Sequence, residues 1–122
     1  MKNLVFLNSA IFTRDGAFDC TTISLEEAKS LAIGSQSGQY NLISAIGHES
    51  TATILTKLLG VEIPVNRIAY KQEPTDLVVA FKLSQRMEQP KDLITEEEIE
   101  KIGYEFKLIR DLVKYQSLFN IY

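Results

Sequence analysis

The sequence predicts an α+β fold, a mixed α/β arrangement in one small domain whose mixed sheet carries a hairpin and is flanked by helices. Three observations predict it. Short apolar runs bounded by turn residues, at positions 4–7, 40–46 and 77–83, have the length and composition of buried strands. Two capping-box patterns, Ser24-Leu25-Glu26-Glu27 and Thr95-Glu96-Glu97-Glu98, open helices between them. A chain of 122 residues is one compact domain long, with no room for a second.

The elements follow in order. Leu4-Val5-Phe6-Leu7 is a buried first strand that ends at Asn8-Ser9, and residues 8–20 read as a long loop. The Ser24 hydroxyl can accept from the amide three residues on while Glu27 bonds back, starting a helix that runs to about Ala32 and is closed by the Gly- and Ser-rich residues 34–38. A second strand over residues 40–46 runs into Gly47-His48-Glu49-Ser50-Thr51. Helical spacing then appears at Ile54, Leu55, Leu58 and Leu59 and stops at Gly60. Residues 67–71 and 77–83 flank the turn-rich residues 72–76 and suit an antiparallel hairpin. Thr95 starts a helix that runs to about Gly103, and Tyr104, Phe106 and Leu108 at period two follow as a strand. Residues 111–122 contain Leu112, Val113, Leu118, Phe119 and Ile121 and suit a docked tail or a subunit contact, in helical or extended form.

Composition narrows the function. Apolar residues at 45% and charged residues at 24% fit a folded globular domain and exclude a disordered chain or a membrane span. The N-terminal apolar run is too short for a signal peptide, and the single Cys20 cannot form an intrachain disulfide, so a reducing, cytoplasmic setting is expected. A net charge of −3 at pH 7 argues against tracking duplex DNA, which needs a broad basic field. A small anionic ligand is different, because two or three arginines in a pocket can hold its phosphates bidentately.

The chemistry-bearing feature is the strand that turns through Gly47-His48-Glu49-Ser50-Thr51 directly into a helix, whose N-terminus offers free amides and a positive dipole end to an anion. Gly47 permits close backbone approach, the Ser50 and Thr51 hydroxyls can donate to phosphate oxygens, and His48 stands where it could protonate a leaving oxygen. The plainer alternative is that Ser50 or Thr51 caps the helix and His48 is a surface turn residue. Ser84-Gln85-Arg86-Met87-Glu88-Gln89 supplies a second candidate, in which Arg86 clamps a phosphate and a carboxylate orients it; a solvated Arg–Glu pair is the alternative. Arg67 is a third candidate cation with the same bland alternative. One His, one Cys and no carboxylates at ligand spacing assemble no metal site, and no Walker, GxGxxG or GxSxG motif is present.

In order and spacing, the segments Leu42-Ile43-Ser44-Ala45-Ile46-Gly47-His48-Glu49-Ser50-Thr51, Asn66-Arg67-Ile68 and Ser84-Gln85-Arg86-Met87-Glu88 resemble the viral ring nucleases, the type III anti-CRISPR proteins that degrade cyclic tetra-adenylate. The similarity covers roughly residues 1–108 of a single domain spanning 1–122, with 110–122 as an added tail. It implies a two-fold homodimer around the ligand, with no cofactor and no metal. It further implies that the ligand's 2′-hydroxyl attacks the adjacent phosphorus while His48 protonates the departing 5′-oxygen, leaving linear di-adenylate with a cyclic phosphate end. By the same resemblance His48, Arg86 and Glu88 are catalytic, and Asn8, Ser9, Gly47, Ser50, Thr51, Arg67, Gln85 and Gln89 surround the substrate. Departures from the family pattern are Gln89 at an acidic position, Ser9 where an asparagine aligns, Pro90 in place of a glycine, and the tail after Asp111.

Two other functions compete with the enzyme. A sponge or sensor would hold the ring without cutting it and would be indifferent to loss of His48. A protein- or DNA-binding factor using the apolar tail would bind no ring at all.

Overall fold

The structure, a computed structural model, describes residues 2–84 and 95–112. Its elements are β1 (Lys2–Leu7), β2 (Phe18–Ile23), α1 (Leu25–Gln36), β3 (Tyr40–Ala45), α2 (Glu49–Leu59), β4 (Leu77–Leu83), α3 (Glu96–Ile102) and β5 (Tyr104–Asp111). The strands form one five-stranded mixed sheet in the order β2-β5-β4-β1-β3. β1 lies parallel to both β3 and β4, with Leu4 opposite Leu42 and Leu77, while β5 runs antiparallel to β4 and β2. This is the predicted α+β class.

Strand alternation sorts the core into two layers. Leu4 and Phe6 of β1, Val79 and Phe81 of β4 and Phe106 of β5 face the helices, where they meet Ala28 and Ala32 of α1, Ala52, Ile54, Leu55 and Leu58 of α2 and Ile99 of α3. Each such large side chain contributes about 1.5–3 kcal/mol when fully buried. Val5, Leu7, Ala45, Val78, Ala80 and Ile109 point to the opposite face, where Phe18 and Tyr70 pack against them in place of helices.

Both helices start where expected, the first with a full capping box and the second with an N-cap bond. Ser24 Oγ accepts from Glu27 N while Glu27 Oε1 accepts from Ser24 N, and Thr95 Oγ1 accepts from Glu98 N. α1 runs past its predicted end at Ala32, because Gly34 is a contact residue and not a stop. A Cβ there would stand 2.9 Å from the Tyr40 ring, so the glycine lets α1 press on the start of β3.

Three sequence expectations need correction. The loop predicted over residues 8–20 contains the start of β2, an edge strand whose mostly polar outer residues, such as Asp19, Thr21 and Thr22, hide its period. Its partner β5 reaches Arg110 and Asp111, so the supposed tail begins inside the sheet; residues 113–122 lie outside the described residues. The predicted hairpin is absent: residues 67–71 form no strand, and β4 pairs with β1 and β5 instead. The segment from 61 to 76 instead satisfies polar groups through side chains, which is how an irregular segment can be tolerated on the sheet.

One of those side chains carries a checkable energy. Asp76, 3% exposed, accepts from Tyr70 Oη at 2.5 Å, Asn3 Nδ2 at 3.1 Å and Glu73 N at 3.1 Å. Burial, and then the bond to Asp76, raise the Tyr70 pKa, so the phenol remains a donor. Asp76→Ala strands these donors and is expected to cost about 1–3 kcal/mol. A urea titration whose midpoint matches wild type would show that the network carries no stability.

Candidate functional site

Because β1, β3 and β4 are parallel, their C-terminal ends lie along one edge of the sheet. Asn8 and Ser9 follow β1, Gly47 and His48 follow β3, and Ser84 follows β4. In open sheets with parallel strands this edge is where ligands bind. The topology therefore gathers residues far apart in sequence into one place. Gln85, Arg86, Glu88 and Gln89 lie outside the described residues, immediately after Ser84.

His48 is the N-cap residue of α2, with extended backbone at φ −124° and ψ 130°, and no side chain caps the helix there. The Ser50 or Thr51 cap considered from sequence is thus not made. The first helical bond runs from Ala52 N to His48 O at 3.1 Å, which leaves the amides of Glu49, Ser50 and Thr51 ahead of the intrahelical ladder. The His48 side chain is exposed; Gly47, Ser50 and Thr51 are half-buried, as is Asn8, while Ser9 is exposed. An anion at this point would meet amide protons, the positive end of the helix dipole and an imidazole together.

Arg67 joins them from the far side of a long connection. Its Nη2 donates to Gly47 O at 3.1 Å, and a Cβ on Gly47 would sit 3.4 Å from its Nε. The guanidinium lies over the turn, within ordinary contact distance of where a Cβ at residue 47 would be. Two residues missed as site builders hold it there. Asn66 donates from its backbone to Ile46 O at 2.8 Å and from Nδ2 to Ser44 O at 2.7 Å. Ser44 Oγ in turn donates to Pro64 O at 2.5 Å and accepts from Ile46 N at 3.3 Å. These bonds also cover part of the outer edge of β3. The sequence signal was a lone serine within the apolar run Leu42-Ile43-Ser44-Ala45-Ile46.

Among the described residues, no three His, Cys, Asp or Glu are grouped as metal ligands, and no helix is long and apolar enough to cross a membrane.

Fold and site together define a small mixed-sheet domain with an exposed histidine and an arginine at an uncapped helix start. Residues 4–106 match the STIV B116-like family, and the chain belongs to it. It is 36% identical over 117 residues to "Uncharacterized protein 26" of Sulfolobus islandicus filamentous virus (isolate Iceland/Hveragerdi), covering 93% of this chain and 94% of that one. It is 35% identical over 109 residues to "Uncharacterized protein YddF" of Bacillus subtilis (strain 168), covering 89% of this chain and 97% of that one. The fold matches B116 of Sulfolobus turreted icosahedral virus with a TM-score of 0.72 at 24% identity, over 90% of this chain and 99% of B116. The relatives of this chain thus include viral proteins and a bacterial one.

Proposed function

We propose that this protein is a metal-independent ring nuclease that opens cyclic tetra-adenylate and thereby silences type III CRISPR defence. The observation that carries the reading is the placement of His48 at the uncapped start of α2, with Arg67 laid over Gly47 beside it. The Gly-His-Glu-Ser-Thr, Asn-Arg and Ser-Gln-Arg resemblance supports it, and relatives in viruses suit a product that disarms a host.

The reaction needs little from the protein beyond alignment, charge stabilisation and a proton. The 2′-oxygen of one adenylate attacks the adjacent phosphorus, the bond to the 5′-oxygen breaks, and a 2′,3′-cyclic phosphate forms. The attacking hydroxyl loses its proton to solvent or a nearby base, and His48 protonates the leaving 5′-oxygen. The nucleophile belongs to the substrate, so no metal or nucleophilic side chain is required. Amides of α2 and Arg67 hold the phosphate, and two copies related by a two-fold axis would present equivalent surfaces to a four-fold repeating ring. Arg86 and Glu88 enter this scheme through the resemblance alone.

The test is incubation of excess protein with radiolabelled cyclic tetra-adenylate in EDTA. Linear di-adenylate with a cyclic phosphate end is the expected product; failure to bind the ring would sink the proposal. Tight binding without cleavage would favour the second reading, a sponge or sensor, which Gln89 at the family's acidic position makes worth testing. Arg67→Ala should weaken binding about 10–100-fold, the equivalent of the roughly 1.5–3 kcal/mol of a charged hydrogen bond. Unchanged affinity in an equilibrium titration would remove Arg67 from the site.

A further inference from the structure

Two irregular segments carry site residues: 8–17 holds Asn8 and Ser9, and 61–76 holds Arg67. They meet on the face of the sheet opposite the helices, and they meet at one residue. Gln72 N donates to Thr13 Oγ1 at 2.7 Å, and Gln72 O accepts from Arg14 Nε at 2.9 Å. The Gln72 side chain, on a residue only 2% exposed, donates through Nε2 to Ile109 O of β5 at 3.2 Å. Arg14 Nη2 pairs with Asp111, the last residue of β5, whose side chain is fully buried. The Arg14 guanidinium also lies 5.5 Å from the centre of the Phe18 ring. Both peptide groups of one buried residue are thus gripped by the first segment, and the knot is tied to the sheet at two points on β5.

Burying an ion pair is a poor way to gain stability, since well-packed apolar residues of similar size commonly do as well or better. What apolar packing lacks is direction. The Arg14 fork and the Gln72 amide fix the two segments relative to each other in a way that contact area alone would not.

We propose that Arg14, Gln72 and Asp111 form a clamp that sets the spacing between the two site-bearing segments, and so act as positioning residues for the phosphates of the ligand. The identity of that ligand rests on the ring-nuclease reading. The clamp touches no ligand itself. Its loss loosens residues 9–13 and 68–72, which run on from Ser9 and from Arg67, while His48, held by β3 and α2, stays in place. Binding therefore suffers and the bond-breaking step does not.

The deciding variant is the double replacement Arg14→Met with Asp111→Leu, which removes the clamp without leaving a buried charge. It should unfold at a temperature close to that of wild type. Its Kd for cyclic tetra-adenylate should rise about tenfold or more, with the single-turnover rate at saturating ligand within about threefold of wild type. Amide hydrogen exchange in residues 9–13 and 66–72 of the unliganded protein should quicken about tenfold or more. Wild-type affinity together with wild-type exchange would overturn the clamp. If the double variant does not fold, Arg14→Lys, which keeps the charge and loses the fork, must show the same binding loss and faster exchange or the clamp fails. Should wild type itself bind no ring, the proposed function falls, and the exchange measurement still decides whether the knot orders the two segments.

Discussion

On the proposed function, replacing His48 by alanine is expected to slow opening of cyclic tetra-adenylate by about 10²–10⁴-fold, the range for loss of a general acid, while affinity for the ring changes little. The split follows from geometry. His48 serves as N-cap through its backbone, with its carbonyl accepting from Ala52 N and its side chain making no cap bond. Alanine at this position keeps the helix start and its amides, so the proposed phosphate would keep its seat. Only the proton proposed for the leaving oxygen would be lost. Single-turnover kinetics in EDTA, beside an equilibrium titration, measure the two quantities separately. A variant that cuts at the wild-type rate would remove His48 from the chemistry, and one that loses binding and rate equally would make it a ligand contact.

The largest stability effect is expected from Phe81→Ala, at about 3–5 kcal/mol, a substantial part of the ~5–15 kcal/mol that holds a domain together. Phe81 is 1% exposed and lies opposite Phe106 in register, with ring centroids 5.3 Å apart and the Tyr104 ring at 5.9 Å. Removing the ring opens a cavity between β4, β5 and the helices that strands paired on both sides cannot readily close. Chemical denaturation would show the loss as a lower midpoint at unchanged slope. A loss below about 1 kcal/mol would mean that the neighbouring aromatic rings refill the space.

Local signals were readable and long-range pairings were not. The capping boxes at Ser24 and Thr95 need only residues three apart, so both helices began where the sequence placed them. Apolar spacing through Ile54, Leu55, Leu58 and Leu59 gave α2, and period two at Tyr104, Phe106 and Leu108 gave β5. β2 escaped notice because an edge strand half in water needs few apolar residues. The false hairpin arose because turn residues 72–76 suggested local pairing, whereas β4 is fixed by β1 and β5. The turn containing His48 was legible as strand running into helix. The reach of Arg67 to Gly47 was not, since it depends on how Asn66 bonds to β3.

The order of strands in the sheet has a bearing on when the protein becomes competent. β1 is made before its partners β3 and β4, so Leu4 waits for Leu42 on one side and for Leu77 on the other. Pairings of such separation are slow to form because the closure entropy of the chain between them comes before any contact is gained. A nascent chain ending before β4 would contain His48 but not the complete C-terminal edge of the parallel strands. On the proposed function, competence should therefore arrive late, and no fragment lacking β4 should hold the ring.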